Sequence, residues 1–340
     1  MAEISVAILG LKRTGASIGL ALKRHNAKKS ANSFHIEGYD TSSDVAKKAE
    51  EMGAVDKIDR HPKIVVRDKD IVVITLPQGE VERAYEVIAS SLRPGAVILD
   101  MSPLPIAALK FAKGNLPEDA HVVCVAPIVN HKYLFEGTDE AARASEDFFD
   151  NGAIYIMPSV RCIKEAVTLA TDFAAILGAE PKYCDPAEYD SLITATEALP
   201  SLLGVVLFHV LSQSAGWSDI QRLTNPGFGM LTRYLFDTHP DDLRQLWLGS
   251  DVTFLRYIDA MIEGLRTYRT LIAEGNNDAL ASALENAANE YEAWINRRIK
   301  GQWDKDIRPR LPTKGEVMGS WFGRIPGLGG HDEDEKDEEK

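Results

Sequence analysis

The chain opens on a β-rich run at residues 4–9 that breaks at Gly10-Leu11-Lys12-Arg13-Thr14-Gly15 and resumes as the helical pattern ASIGLALKRH. Strand, glycine turn and helix in this order leave few folds open. A glycine directly after a strand permits a tight turn, and a second at the start of the helix lets helix and strand approach closely. The helix N-terminus, with its unpaired N–H groups, then faces whatever anion lies over the turn. Asp40 closes the next β-rich run, at 35–40, and stands 25 residues after Gly15. A carboxylate there can accept hydrogen bonds from ribose hydroxyls. Gly10, Leu11, Lys12, Arg13, Thr14, Gly15 and Asp40 therefore form a candidate dinucleotide site. Lys12 stands where the middle glycine of such a loop usually lies, and it brings both a cation and a Cβ. Asp40 favours NAD over NADP, because its charge repels a 2′-phosphate unless an arginine compensates, and Thr41-Ser42-Ser43 supplies none.

Further β-rich runs at 71–76, 96–100, 121–126 and 153–157 alternate with amphipathic helical stretches, the pattern of βαβ units. Most are Val/Ile/Leu-rich without polar alternation, as expected of strands covered on both faces. The fold class is α/β: an N-terminal Rossmann doubly wound parallel sheet followed by an all-α helical domain. Leu76-Pro77 ends one strand at the carboxyl edge, where ligands approach such sheets, and joins the cofactor-binding candidates. In another doubly wound sheet the same glycine turn would be structural only.

A helix at 163–177 and a strand at 178–183 close the first domain. From Pro186 onward only helices are expected, at 187–212, 220–231, 240–248, 250–274 and 278–300. The predicted domains are 1–184 (dinucleotide-binding), 185–307 (helical, substrate and dimerisation) and 308–340, a Pro/Gly arm ending in the acidic run HDEDEKDEEK. That run holds nothing apolar to bury and reads as a solvated end.

A length of 340 residues suits two domains, and 45% hydrophobic with 26% charged residues is a globular composition. The net charge of −13 argues against a nucleic-acid partner. Three cysteines, Cys124, Cys162 and Cys184, lack CxxC spacing, so no zinc site or disulfide framework is expected and a cytoplasmic location fits. The N-terminus carries no secretory signal. The longest mostly apolar stretch, 198–211, falls short of the ~20 residues that cross a bilayer, so a buried helix and no membrane partner are expected. The long apolar helices predict a homodimer.

The glycine turn, Leu99-Asp100-Met101-Ser102 and the segment TATEALPSLLGVVL together resemble the prephenate/arogenate dehydrogenase family over roughly residues 4–300. The resemblance implies NAD-dependent oxidation of a small carboxylic acid with a ring hydroxyl, carbon dioxide being lost, as in tyrosine biosynthesis. It implies that Ser102 bonds to the reacting hydroxyl and that Arg233, in MLTRYLFDTHPDDLRQLW, pairs two-pronged with a substrate carboxylate. The alternative for Arg233 is a surface ion pair with Asp237, Asp241 or Asp242.

Two family features are absent. Where the family has Gly-His-Pro this chain has Val125-Ala126-Pro127, and Glu197-Ala198-Leu199-Pro200-Ser201 stands in place of a Ser-His-Leu-Pro-His segment. His131, in IVNHKYLFEG, is the candidate proton-transfer group, since imidazole titrates near neutrality. Asn130 beside it and Glu197 are candidate substrate contacts. Ala126-Pro127-Ile128-Val129 is also similar to a segment of the β-hydroxyacid dehydrogenases, but the lysine that family requires is missing between Asp185 and Arg222. A dehydrogenase of another hydroxy or imino acid, and a non-catalytic NAD(H)-binding protein, remain as alternatives.

Overall fold

The computed structural model describes residues 2–28, 32–136, 138–250, 252–301 and 303. The first part alternates β1 (Ala2–Leu9), α1 (Arg13–Ala27), β2 (Asn32–Tyr39), α2 (Ser43–Glu51), β3 (Lys57–Ile58), α3 (Pro62–Val65), β4 (Ile71–Ile74), α4 (Gln78–Ile88), β5 (Val97–Asp100), α5 (Pro105–Asn115) and β6 (His121–Ile128). Then come β7 (Ala153–Pro158), α6 (Lys164–Ile176) and β8 (Glu180–Tyr183). The sheet order is β3-β2-β1-β4-β5-β6-β7-β8, with the chain reversing direction outward from β1. Residues at every position of β4 and β5 are buried, which is why those strands carry no polar alternation.

One strand departs from the expected parallel set. β7 pairs antiparallel to β6, with Cys124 opposite Met157 and Ala126 opposite Tyr155. A parallel return needs a crossover of helix length. The connection after β6 has only short 3-10 turns at His131–Tyr133 and Ala141–Arg143, so the chain doubles back. The two-residue β3 was not expected, being too short to show a period.

The helical part consists of α7 (Pro186–Ile193), a π turn at Thr194–Ala198, α8 (Leu199–Ser212), α9 (Trp217–Ile220), α10 (Pro226–Thr232), α11 (Tyr234–Asp237), α12 (Pro240–Gly249), α13 (Val252–Ala273) and α14 (Asn277–Lys300). The helix expected at 220–231 is broken. Asn225 precedes Pro226 and is extended, φ −136° and ψ −178°, as the proline ring requires of its predecessor.

Packing divides the chain into two compact units, Met1–Phe254 and Leu255–Lys340. The expected boundary after residue 184 marks the end of the sheet, whereas the first unit continues through α7–α12. In the second unit Leu271, Ala279 and Ala283 form a small core with Tyr268 against it. The arm and acidic tail expected at 308–340 lie outside the described residues.

The buried helix expected at 198–211 is not buried. The continuous helix Pro186–Ser212 is long and apolar enough to cross a membrane by length and composition. In this single chain it leaves Val206, Phe208 and Val210 exposed, while Ser201 and Gly204 are the buried residues of α8. Among the described residues nothing covers this apolar face.

Candidate active site

The phosphate loop follows from two glycines. Gly10 has φ +98°, a conformation that disfavours any side chain, and a Cβ on Gly15 would lie 1.9 Å from the Gly10 carbonyl oxygen. Thr75 Oγ1 donates to that same oxygen at 2.7 Å and fixes the turn against β4. Asp40 braces the turn from β2: one carboxylate oxygen accepts from Leu11 N–H at 2.7 Å, the other from Ser42 N–H at 2.8 Å. Lys12 precedes α1 and lies 3.9 Å from Asp139.

Arg13 differs from expectation. Its guanidinium is buried, donates to Glu136 at 2.6 Å and stacks over the rings of Tyr133 and Phe148, so it anchors the loop after β6 instead of reaching into an open cleft. Its backbone N–H likewise donates to the Asp139 carbonyl, at 3.4 Å. Burial raises the Asp139 carboxyl above the usual range, with Lys12 opposing. One negative charge about 4 Å from a phosphate charge costs about 1 kcal/mol at the dielectric of bulk water. Asp139→Asn is therefore expected to tighten dinucleotide binding by roughly three- to tenfold, as read by equilibrium titration. An unchanged affinity would place Asp139 away from the phosphates.

Beyond the turn, at the carboxyl ends of β2 and β3, a groove of about 580 Å³ opens along Asp40, Ser43 and Asp59. This is where the adenosine half of a dinucleotide lies in a sheet wound this way. The glycine turn, the N-terminus of α1 and this groove form one continuous edge of the sheet, and the residues present fit a bound dinucleotide.

At the neighbouring strand ends, Asp100 is fully buried at the close of β5. It accepts a short hydrogen bond from Tyr85 and another from Ser102 N–H at 2.7 Å. With no cation beside it, burial raises its carboxyl, and the hydrogen bonds from Ser102 and Tyr85 oppose that shift. Ser102 is thereby fixed, with its backbone N–H on the Asp100 carboxylate and its buried hydroxyl close to it. Gln78, at the start of α4 after Leu76-Pro77, accepts from Leu104 N–H at 3.2 Å and leaves its amide nitrogen buried and unpaired. Sequence reasoning passed over Gln78, although its place directly after the strand-end proline was the available signal. Asp242, on α12, accepts from Gly79 N–H at 2.8 Å and so joins α12 to the N-terminus of α4.

His131 follows the adjacent strand, β6, and its Nδ1 is buried without a partner. Asn130 has a different role from the one expected. Its side chain accepts from Lys132 N–H and donates to the Asp147 carbonyl, so it caps the loop and is not free for substrate. Lys132, Tyr133 and Ser145 converge on Asp147, whose carboxyl is held well below the usual range by their hydrogen bonds despite the opposing effect of burial. The loop is thus rigidly tied where His131 enters it.

A second cluster forms on the helices. Glu197 lies in the π turn, which inserts one extra residue into the Pro186–Ser212 helix; such turns recur at functional sites. Its side chain is exposed, yet the atoms crowded around it raise its carboxyl while Arg233 opposes the shift. Burial also raises the hydroxyls of Tyr189 and Tyr234, with Glu197 adding to both. Arg233 lies over the Tyr234 ring at 5.6 Å, and its ionic partner within the described residues is Asp237 at 3.7 Å, beyond hydrogen-bond length. The guanidinium fork remains available. Nearby, Ser201 accepts from the Trp247 indole at 2.9 Å, tying α12 to α8.

A phosphate loop on a doubly wound sheet, completed by helices that bring an arginine and a carboxylate together, defines a dinucleotide-binding oxidoreductase. Residues 18–182 match the family model described as the prephenate dehydrogenase nucleotide-binding domain. The chain is 22% identical over 306 residues to the cyclohexadienyl dehydrogenase of Zymomonas mobilis subsp. mobilis, covering 89% of this chain and 98% of the relative. It superposes on the A. aeolicus prephenate dehydrogenase solved with hydroxyphenyl propionate and NAD+, with TM-score 0.69, 17% identity, and 86% and 99% of the two chains covered. Against Synechocystis arogenate dehydrogenase the TM-score is 0.60, with 17% identity and 86% and 100% covered. The chain is thus similar to the prephenate and arogenate dehydrogenases, over residues 18–182 by the family model and over most of its length by these relatives.

Proposed function

We propose that this chain is an NAD-dependent dehydrogenase that oxidises and decarboxylates a cyclohexadienol carboxylic acid of the prephenate or arogenate type. The observation that carries the reading is the pairing of a two-glycine phosphate loop with the Glu197–Arg233 cluster in one compact unit. Bound NAD supplies the hydride acceptor. The chain's residues do the rest: Arg233 holds a substrate carboxylate with its fork, and Ser102 bonds to the ring hydroxyl. His131 takes the hydroxyl proton as hydride leaves the same carbon. Loss of the ring carboxylate as carbon dioxide pushes electrons back to that oxygen, His131 returns the proton, and an aromatic phenol results. Ser102 and His131 follow adjacent strands, β5 and β6, which supports their acting together.

Glu197 favours the amino-acid form of the substrate. An arginine and a carboxylate close enough to act on each other match a zwitterion, the guanidinium taking its carboxylate and Glu197 its ammonium. The ion pair needs Glu197 ionised, and its raised pKa means that binding of the amine strengthens as pH rises through that value and is lost below it. Glu197→Gln is expected to lower kcat/KM for arogenate by about tenfold or more while changing that for prephenate less than threefold. Equal losses for both would remove the ammonium role.

The exposed Val206, Phe208 and Val210 of α8, with Met230, Leu231 and Phe236 from α10 and α11, support a homodimer of a cytoplasmic enzyme. Sedimentation without detergent as a two-chain species is expected; dependence on detergent would instead favour a lipid contact. The primary test is NADH formation from NAD+ with prephenate and with arogenate. Turnover of either substrate supports the reading. NAD+ binding with no turnover of either would overturn it in favour of another hydroxy or imino acid.

A further inference from the structure

His131 stands beyond the end of β6 at Ile128, so the sheet does not set its position. The bonds of Lys132, Tyr133 and Ser145 to Asp147 fix the shape of its loop, but all four residues belong to that loop. A proton acceptor must also be placed against the cofactor, which requires a tie between the loop and the phosphate turn. α1 carries such ties on one face. Ser17 Oγ accepts from Ser145 N–H at 3.1 Å, and farther down the helix Arg24 pairs two-pronged with Asp150 at 2.7 Å. At the end of α1 that follows the phosphate turn stands Arg13.

Arg13 is 4% exposed, and its guanidinium lies 5.0 Å from the centre of the Tyr133 ring and 4.8 Å from that of Phe148. Tyr133 is two residues after His131. The Phe148 carbonyl accepts from the N–H of Asn130, the residue before His131, at 2.8 Å. The guanidinium therefore bears on both flanks of His131. Its bonds to the Glu136 carboxylate at 2.6 Å and the Thr138 carbonyl at 3.4 Å keep its plane from turning. Arginine suits this place because its flat cation can lie on rings while donating within its own plane, which an ammonium cannot do.

We propose that Arg13 is a positioning residue for proton transfer: by clamping Tyr133 and Phe148 to the start of α1, it sets His131 against the dinucleotide bound there. The proposal rests on the reading of His131 as the proton-transfer group. It gives Arg13 a task in turnover that is separate from holding the cofactor.

The test uses Arg13→Met and Arg13→Lys in the full chain, each alone and combined with His131→Ala. Arg13→Met is expected to lower kcat by about 10–10²-fold, the scale of a reacting group misplaced by about 1 Å, and to change the dissociation constant for NAD+ less than threefold. The amides of Tyr133, Leu134 and Glu136, which bond within the loop, should exchange faster with deuterium in the same variant. Arg13→Lys keeps a charge beside Glu136 but loses the planar contact, so its kcat should fall between the two. In the His131→Ala background neither substitution should lower kcat further, because the clamp then has no imidazole to place. An equal further loss there would overturn the proposal, as would a kcat for Arg13→Met within threefold of the parent, or a loss seen in NAD+ binding instead of kcat. If Arg13→Met does not fold, Glu136→Gln, at a partner whose side chain is 40% exposed, carries the test: its smaller loss of kcat must likewise vanish in the His131→Ala background. An unchanged kcat in His131→Ala alone would overturn the reading beneath the proposal, a result seen without any change at Arg13.

Discussion

Gly15→Ala is expected to abolish measurable cofactor binding and to lower the melting temperature. The added Cβ would fall 1.9 Å from the Gly10 carbonyl oxygen and 2.8 Å from Thr75 Oγ1. No rotamer relieves a Cβ, and one of its neighbours is backbone, so α1 must move away from the turn. Overpacking of this kind costs roughly 1–3 kcal/mol, or about 2–10 °C in a unit of this size. Binding should suffer more than stability, because the displaced groups are the helix N-terminus and the Leu11 amide that Asp40 holds. A variant that binds NAD+ with unchanged affinity would show that the turn is only a strand-to-helix connection.

His131→Ala is expected to lower kcat by about 10²–10⁴, the usual contribution of a general acid–base group, with the dissociation constant for NAD+ unaltered. The residue lies in a loop tied by Asn130 and by the Lys132, Tyr133 and Ser145 contacts to Asp147, so truncating an imidazole with an unpartnered Nδ1 should leave the loop in place. Stability then serves as the control. The matching signature is loss of one limb of the pH–rate profile. If kcat falls less than threefold, proton transfer belongs to another group, and Glu197 becomes the next candidate.

The elements that repeat a local rule were the ones readable from sequence. β1, β4, β5, β6 and β7 announced themselves as apolar runs, and the glycine turn announced the phosphate loop, because each depends on residues close in the chain. The direction of β7 did not, since it depends on the connection lacking a crossover helix. Asn130 read as a substrate contact because a polar residue beside a loop histidine has no visible partner in sequence; its partners are the Lys132 amide and a carbonyl seventeen residues on. Arg13 was misplaced for the same reason, its partner Glu136 lying 123 residues away. The bond from Trp247 to Ser201 and that from Gly79 to Asp242 also span long separations with no periodic signal. The exposure of α8 escaped because an apolar helix has the same composition whether or not neighbouring helices of the first unit cover it.

The π turn at Thr194–Ala198 has an angular consequence for everything after it. Successive residues of an α-helix advance by about 100°, so one extra residue in a turn rotates the remainder of the helix by that amount relative to an uninterrupted one. Glu197 and the outward residues Val206, Phe208 and Val210 belong to one rod set out of phase at its middle. The insertion works like an offset between two cams on one shaft. It sets which way the upstream half presents its carboxylate and, independently, which way the downstream half presents its apolar side. Removing a single residue there would return the turn to ordinary α-helical hydrogen bonding, yet turn one half by more than a quarter revolution against the other.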